Sequence, residues 1–229
     1  MTRPPEMTRS QFPRVRPTPS SSPAALAATA ALALALAGCA SPESTFYTLA
    51  DATGGTHAGA QVSTGTRAPA TPYAIEVSPV AVPEQVDRPQ IVVTRGGGRV
   101  DILEASRWSA PLKNELTSTI SRDLTQRLGA MDVYGLPRAD GLTVYRVSTS
   151  VQRFESVPGE HAALTAVWSV RKVPGDLVLT CRFAGTEPAS GGIGGVVTAQ
   201  RTLVDRLADG IGNAIATSAQ GTATPRCPD

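Results

Sequence analysis

The feature that most constrains this chain is the sequence Leu36-Ala37-Gly38-Cys39, which closes an apolar run over residues 24–37. Four arginines precede that run. A positive segment, an apolar segment and small residues before a cleavage point are typical of a secretory signal peptide. A cysteine directly after Leu-Ala-Gly narrows the prediction to the lipobox of a bacterial lipoprotein. Ala37 and Gly38 supply small side chains beside the scissile bond, and Cys39 supplies the thiol that is alkylated.

Two other interpretations of this leader are an ordinary signal peptide and a short membrane helix, each with a chance cysteine. A membrane helix is disfavoured because the apolar run has roughly 14 residues, whereas a span needs about 20. We therefore expect Cys39 to be the first residue of the mature protein. It should carry a diacylglycerol and a further acyl chain such as palmitate, and no other cofactor is expected.

The mature chain has no charge pattern suited to nucleic acid. The whole chain has 21 basic and 19 acidic residues, and loss of Glu6 and the four arginines with the leader leaves a net charge of about −1. No basic block remains, which excludes the electrostatic footprint of a nucleic-acid-binding protein. Ala40, rather than an aspartate, follows Cys39. This favours an outer-membrane anchor facing the periplasm over retention in the inner membrane.

The composition along the chain predicts four segments. These are a signal peptide (1–38), a lipidated tether with a short strand and a Gly/Thr/Ala-rich insert (39–72), a mixed α/β domain (73–217) and a polar tail (218–229). We expect an α+β fold in one compact domain. In it, a mixed and largely antiparallel sheet of about five to seven strands packs against two long amphipathic helices.

The strands are predicted from alternation of apolar and polar side chains. A short strand at 46–49 follows the tether, and the insert after it leaves open whether this strand joins the sheet. The turn at Gly96-Gly97-Gly98 predicts a hairpin. Three later runs, separated by two Pro-Gly turns, predict an antiparallel meander. The predicted strands beyond the first are 73–82, 90–95, 99–103, 131–134, 143–154, 162–173 and 177–183.

Two helices are predicted from apolar residues that recur at helical spacing. In the first, Ser109 is the expected N-cap, Pro111 lies in the first turn and Gly129 ends the helix. Its core face is formed by Leu112, Leu116, Ile120, Leu124 and Leu128. The second covers 196–217, and its glycines at 210 and 212 either allow close packing or let the helix fray.

The order of these motifs resembles that of the ABC-type transport auxiliary lipoproteins, the PqiC-type intermembrane transport lipoproteins of Gram-negative bacteria. The resemblance covers nearly all of the mature chain. It rests on Tyr47-Thr48-Leu49, residues 80–86, Pro89-Gln90-Ile91-Val92, Arg107-Trp108 with Pro111-Leu112, and residues 147–154.

The resemblance implies a role beside an ABC permease and ATPase whose periplasmic subunit carries MCE domains. Such systems move phospholipid or other hydrophobic molecules between the two membranes and maintain membrane integrity. The other partner would be the outer-membrane bilayer. Formation of a homo-oligomer is a further possibility. Arg107 and Trp108 are candidate contacts for the transporter partner, because Trp and Arg concentrate binding energy at interfaces. The alternative for Trp108 is a core residue packed on the first helix.

Two other classes of function remain alternatives. One is an assembly or activator lipoprotein that partners an outer-membrane barrel or a cell-wall synthase. The other is a lipid-binding module with its own apolar cavity. No catalytic residues and no metal site are expected, because His57 and His161 lie in predicted solvated segments and no ligand cluster has metal spacing.

Two cysteines remain once Cys39 is acylated. Cys181 lies on a predicted strand beside apolar residues, and Cys227 lies in the tail. In an oxidising compartment they either form a disulfide that holds the tail on the sheet or stay apart as a buried thiol and a free tail cysteine. A bridge requires their Cα atoms to approach to about 4.4–6.8 Å.

Overall fold

The computed structural model describes residues 43–50, 72–221 and 223–228. Within those residues the chain forms seven strands and two helices, which confirms the predicted α+β fold in one compact domain. The strands are β1 (Thr45–Tyr47), β2 (Tyr73–Val77), β3 (Gln90–Thr94), β4 (Val100–Trp108), β5 (Thr143–Val157), β6 (His161–Val173) and β7 (Leu177–Pro188). The helices are α1 (Leu112–Leu128) and α2 (Ile193–Gln220).

The strands divide between two sheets rather than forming one. A three-stranded sheet has the order β1-β4-β3, and a four-stranded sheet has the order β2-β5-β6-β7. The β3–β4 hairpin and the β5-β6-β7 meander are antiparallel, as predicted. The pairings of β1 with β4 and of β2 with β5 are parallel. These two join segments far apart in the chain, which alternation of side chains cannot reveal.

Both helices pack against the four-stranded sheet. Helix α2 packs on β6 and β7, and α1 packs on α2 and β2. Alternate residues of β6 are buried, namely Leu164, Ala166, Trp168 and Val170, and Trp168 is among the largest fully buried side chains of the described chain. Trp108 at the end of β4 meets Phe154 of β5 with ring centroids 6.2 Å apart, so the two sheets share one hydrophobic core.

Helix α1 has the predicted core face but a different N-terminal cap. Four of the five predicted apolar positions are fully buried, and Leu128 is partly buried against the core. Gly129 ends the helix in the left-handed conformation at φ 62°, as predicted. Pro111, rather than Ser109, occupies the N-cap position, and no side chain caps the helix. The prediction for Ser109 was wrong because its hydroxyl donates instead to the carboxylate of Glu115.

Helix α2 is longer than predicted and continues through both internal glycines. Gly210 and Gly212 are buried. A Cβ at Gly212 would lie 3.5 Å from Leu124 Cδ2, and one at Gly210 would lie 3.0 Å from Pro228 Cγ. Of the two alternatives, close packing therefore holds: one glycine lies against α1 and the other against the C-terminal tail.

Two predicted strands are shorter than the sequence indicated. β2 ends at Val77, two residues before Pro79, and only one bridge, between Ala81 and Ser150, continues its pairing with β5. The strand predicted at 131–134 is reduced to a single bridge between Asp132 and Ile75. Conversely, β4 extends to Trp108, five residues beyond its predicted end.

Candidate membrane-anchoring site

The predicted lipidation site, Leu36 to Cys39, lies outside the described residues. The described chain begins at Glu43, four residues after Cys39, and enters β1 at Thr45. The described chain therefore covers the point at which the tether enters the domain. Among the described residues, no helix is long and apolar enough to cross a bilayer.

The short strand after the tether is part of a sheet. Thr45, Phe46 and Tyr47 pair in parallel with residues 106–108 of β4. Immediately after the strand, the Ser109 amide donates to the Tyr47 carbonyl over 2.7 Å. The open question of whether this strand joins the sheet is thus answered: the first strand after the tether is hydrogen-bonded into the domain.

A buried carboxylate from α1 fixes the residues that come directly after β1. Glu115 is only 5% exposed. Its Oε2 accepts the Thr48 hydroxyl at 2.8 Å and the Leu49 amide at 2.9 Å, and its Oε1 accepts the Ser109 hydroxyl at 2.6 Å. Three donors at one carboxylate satisfy a charge that would otherwise be costly to bury. Glu115 therefore joins the N-terminal segment to α1.

Arg201 of α2 holds the same segment from the other side. Its Nη1 donates to the Leu49 carbonyl at 2.6 Å. Its Nη2 lies 3.0 Å from carboxylate oxygens of both Asp123 and Asp205. Since the Leu49 side chain is fully buried as well, this residue is bound through its amide, its carbonyl and its side chain. We call Glu115, Arg201 and the 48–49 backbone the anchor clasp.

Asp123, which pairs with Arg201 of the clasp, has a raised pKa. The pKa of Asp123 is raised from 3.8 to about 6, mainly by burial and in addition by the charge and hydrogen bond of Asp205. The positive charges of Arg201 and Arg122 act in the opposite direction and lower this pKa. The nearby Asp205 carboxylate disfavours a second negative charge, so proton binding by the buried Asp123 is favoured.

The predicted partner contact Arg107-Trp108 separates into one buried and one outward residue. Trp108 is 4% exposed and packs in the core against Phe154, so it is unavailable as an exposed contact, and the core alternative holds. The interface assignment fails for Trp108 because its register partner Tyr47 also faces inward. Arg107 is opposite Phe46 and lies on the outer face of the three-stranded sheet.

The structure places the two remaining cysteines together. Cys181 and Cys227 form a disulfide with Cα atoms 5.5 Å apart, which joins β7 to the C-terminal tail. A surface groove of about 420 Å³ lies beside it, between β7, α2 and Pro228. Arg182, Arg206 and Asp209 line this groove together with Phe183. Its charged lining does not suit an apolar cargo.

Metal-ligating side chains are dispersed in the part of the chain that the structure describes. No group of three or more His, Cys, Asp or Glu side chains in them could hold a metal ion. His161 opens β6 with Nε2 3.7 Å from Glu155, in a partly exposed position. His57 lies outside the described residues.

Sequence reasoning missed the clasp. Glu115 and Asp123 each stand three residues after an apolar core position of α1, at Leu112 and Ile120, and therefore lie on the core side of the helix. An acidic residue on an apolar stripe is a readable signal that a buried partner exists. The sequence does not show which residue supplies that partner.

Comparison with known proteins gives a family and a fold. The family model of the ABC-type transport auxiliary lipoprotein component matches residues 56–212. A crystal structure of an uncharacterized protein superposes with a TM-score of 0.57 at 17% identity, covering 76% of this chain and 99% of that one. Protein XCC0632 from Xanthomonas campestris gives 0.52 at 19% identity, covering 68% and 92%. At these identities the structures show the fold alone.

No curated protein matches the chain. The family match spans more than half of the chain and includes α1, most of α2 and six of the seven strands. The chain therefore belongs to the family of ABC-type transport auxiliary lipoproteins.

Proposed function

We propose that this protein is acylated on Cys39, is anchored in the outer membrane on its periplasmic face, and serves as the auxiliary component of an MCE-type ABC transport system. The system would move phospholipid or another hydrophobic molecule between the inner and outer membranes. The family membership supports a transport-system partner. The finer assignment rests on the lipobox and on the resemblance to PqiC-type lipoproteins.

One observation carries the proposal: the chain is fastened to the domain almost immediately after the predicted lipid. Thr45 is the sixth residue after Cys39, and six steps of about 3.4 Å span at most about 20 Å. β1 and the anchor clasp then fix the chain. A domain on so short a tether stays near the inner leaflet, so the MCE assembly would cross most of the periplasm to reach it.

The anchor itself is strong enough for this role. Each buried CH₂ contributes about 0.8 kcal/mol, so a diacylglycerol with a further acyl chain holds the protein in the bilayer for long times. The Glu115 and Arg201 contacts join the tether to both helices. A partner that pushes or pulls on the domain would thus load the lipid anchor through the core rather than through a loose terminus.

The experiment is crosslinking in the native bacterium followed by purification of the tagged chain from membranes. We expect the wild-type protein to carry palmitate label and to recover an MCE-domain subunit with its ABC permease. The Cys39→Ala variant should accumulate as unprocessed precursor without label and recover neither.

Two results would overturn parts of the proposal. Palmitate label that persists in Cys39→Ala would exclude the anchor. Recovery of only an outer-membrane barrel or a cell-wall synthase with the wild-type protein would exclude the transport role and favour the assembly-lipoprotein alternative.

A further inference from the structure

We infer that the outer face of the three-stranded sheet is a membrane-contact surface, which rests on the lipid headgroups and inserts the Phe46 ring at the acyl boundary. This inference rests on the proposed acylation of Cys39. It adds that the domain has one fixed orientation on the bilayer, with β1, β3 and β4 facing the lipid.

The orientation of each side chain follows from strand alternation. Ile91 and Val93 of β3 are buried, so the intervening positions Gln90, Val92 and Thr94 point outward. Residues directly opposite in a ladder share a face. The register places Ile102 (opposite Val92) and Val100 (opposite Thr94) on the outer face. The ladder shifts between Gln90 and Ile91, so Arg107 and Phe46 are assigned to this face because the next residues, Trp108 and Tyr47, pack inward.

This face is more apolar than an ordinary solvated sheet face. Phe46 is 63% exposed, Val100 55% and Ile102 43%. Single exposed apolar residues are normal on protein surfaces, but these three lie on one face of the sheet, where Val100 lines a groove with the half-buried Val92. The face presents an aromatic ring beside aliphatic side chains, a composition that suits the boundary between headgroups and acyl chains.

The length of chain before β1 determines what can cover this face. Phe46 is seven residues after Cys39, so its Cα lies within about 24 Å of the acylated residue. β1 is fixed in the sheet, and Leu49 is held by Glu115 and Arg201. The bilayer is thus the surface that the anchor itself brings to this face.

The charges around the face include the carboxylate of Glu104, which is bonded to Gln90, and three arginines that can meet lipid phosphates. Within the part of the chain that the structure describes, no carboxylate pairs with Arg107, which stands beside Phe46. At the hairpin tip, Arg95 and Arg99 share the single carboxylate of Asp101, at 2.9 and 3.9 Å. Guanidinium groups bind phosphate oxygens through paired donors, so these arginines can contact headgroup phosphates.

The insert at 51–71 is a less suitable cover for this face. It consists mainly of Gly, Thr, Ala and polar residues and contains Val62 as its one aliphatic side chain larger than alanine or proline. Such a segment has little apolar surface with which it could cover Phe46, Val100 and Ile102.

The test uses the full mature lipoprotein in vesicles of phosphatidylethanolamine and phosphatidylglycerol whose acyl chains carry bromine, a contact quencher of tryptophan. The native tryptophans, Trp108 and Trp168, are buried and give a constant background. In Phe46→Trp and Ile102→Trp, we expect the added emission to fall about twofold in brominated relative to unbrominated vesicles, since interfacial groups sit about 5–10 Å deep.

Leu177→Trp is the matched control. Leu177 is exposed and pairs with Arg171, whereas the hairpin tip lies beside the turn at the other end of β6. Ten residue steps of β6, from His161 to Arg171, separate these positions by about 33 Å. We expect no quenching at Leu177→Trp.

The outcomes separate this inference from the proposed function. If the protein carries no lipid and does not enter the vesicles, both fail. If it is acylated and incorporated but Phe46→Trp is not quenched, the membrane-contact surface is excluded while the anchor stands. A blue-shifted but unquenched Phe46→Trp whose spectrum depends on protein density would assign the face to a second copy, and would overturn the inference too.

Discussion

Glu115 is the residue on which the attachment of the N-terminal segment most depends. Glu115→Gln keeps the size of the side chain but replaces an anionic acceptor of three donors by a neutral amide with one acceptor oxygen. We expect the free energy of unfolding to fall by about 2–3 kcal/mol, because bonds to a charged group are lost and an amide N–H₂ is placed among donors. Urea unfolding measures this change.

Hydrogen exchange shows whether the loss is local to the clasp. The Leu49 amide should lose protection in Glu115→Gln before the amides of β6 do. The control is Glu104→Gln, since Glu104 accepts one exposed hydrogen bond from Gln90. That substitution should change stability by less than about 0.5 kcal/mol. Equal effects of the two substitutions would mean that the clasp adds no stability.

Asp123 gives the clasp a dependence on pH. Because its folded-state pKa is about 6, above 3.8, the folded protein binds more protons than the unfolded chain between these pH values. Its contribution to stability is therefore full below about pH 4 and is lost as the pH rises through 6. Relative to Asp123→Asn, the wild-type protein should lose about 2–3 kcal/mol between pH 4 and pH 7.

This comparison is made by urea unfolding of both proteins at several pH values. Titrating groups that do not interact with Asp123 are common to both proteins and cancel in the difference, so the remaining pH dependence belongs to Asp123 together with its neighbour Asp205. A stability difference that stays constant across the range would show that Asp123 does not titrate there.

Among the elements, α2 offers a direct test of how its glycines are used. A Cβ at Gly212 would lie in ordinary contact with Leu124, whereas one at Gly195 would lie 1.8 Å from the Ser190 carbonyl oxygen. Gly212→Ala should therefore stabilise the protein by about 0.5–1 kcal/mol through helix propensity. Gly195→Ala should destabilise it by about 2 kcal/mol, because backbone must move.

Thermal unfolding separates the two substitutions. At about 2–4 °C per kcal/mol for a chain of this size, Gly212→Ala should raise Tm by a few degrees and Gly195→Ala should lower it by more. A lowered Tm for both would mean that α2 and α1 lie closer at Gly212 than the structure indicates.

The elements also show what the sequence could predict. The five apolar positions of α1 and the three strands of the meander are strong local patterns, and all were found where expected. The Ser109 cap was predicted wrongly because local propensity cannot foresee a competing carboxylate at Glu115. The division into two sheets was missed because it depends on parallel pairings between distant segments.

At the scale of the whole molecule, both ends of the described chain are tied to the same core. The clasp holds Leu49 at the start, and the Cys181–Cys227 disulfide holds the tail at the end. The sequence could suggest the disulfide from compartment and cysteine count, but the clasp required knowledge of where α1 and α2 meet.

The disulfide gives the last prediction. Its loop closes over 46 residues, for which the chain-entropy model gives about 4 kcal/mol of stabilisation as an upper figure. The tail buries little beyond Gly210 and its Pro228 contact, so we expect Cys227→Ser to lower the free energy of unfolding by about 2–4 kcal/mol without changing the fold. Reduction of the wild-type protein should have the same effect and should leave the stability of Cys227→Ser unchanged.

Intact-mass analysis after alkylation of denatured, non-reduced protein from the periplasm checks the bond itself. Modification of both Cys181 and Cys227 there would show that the tail is free.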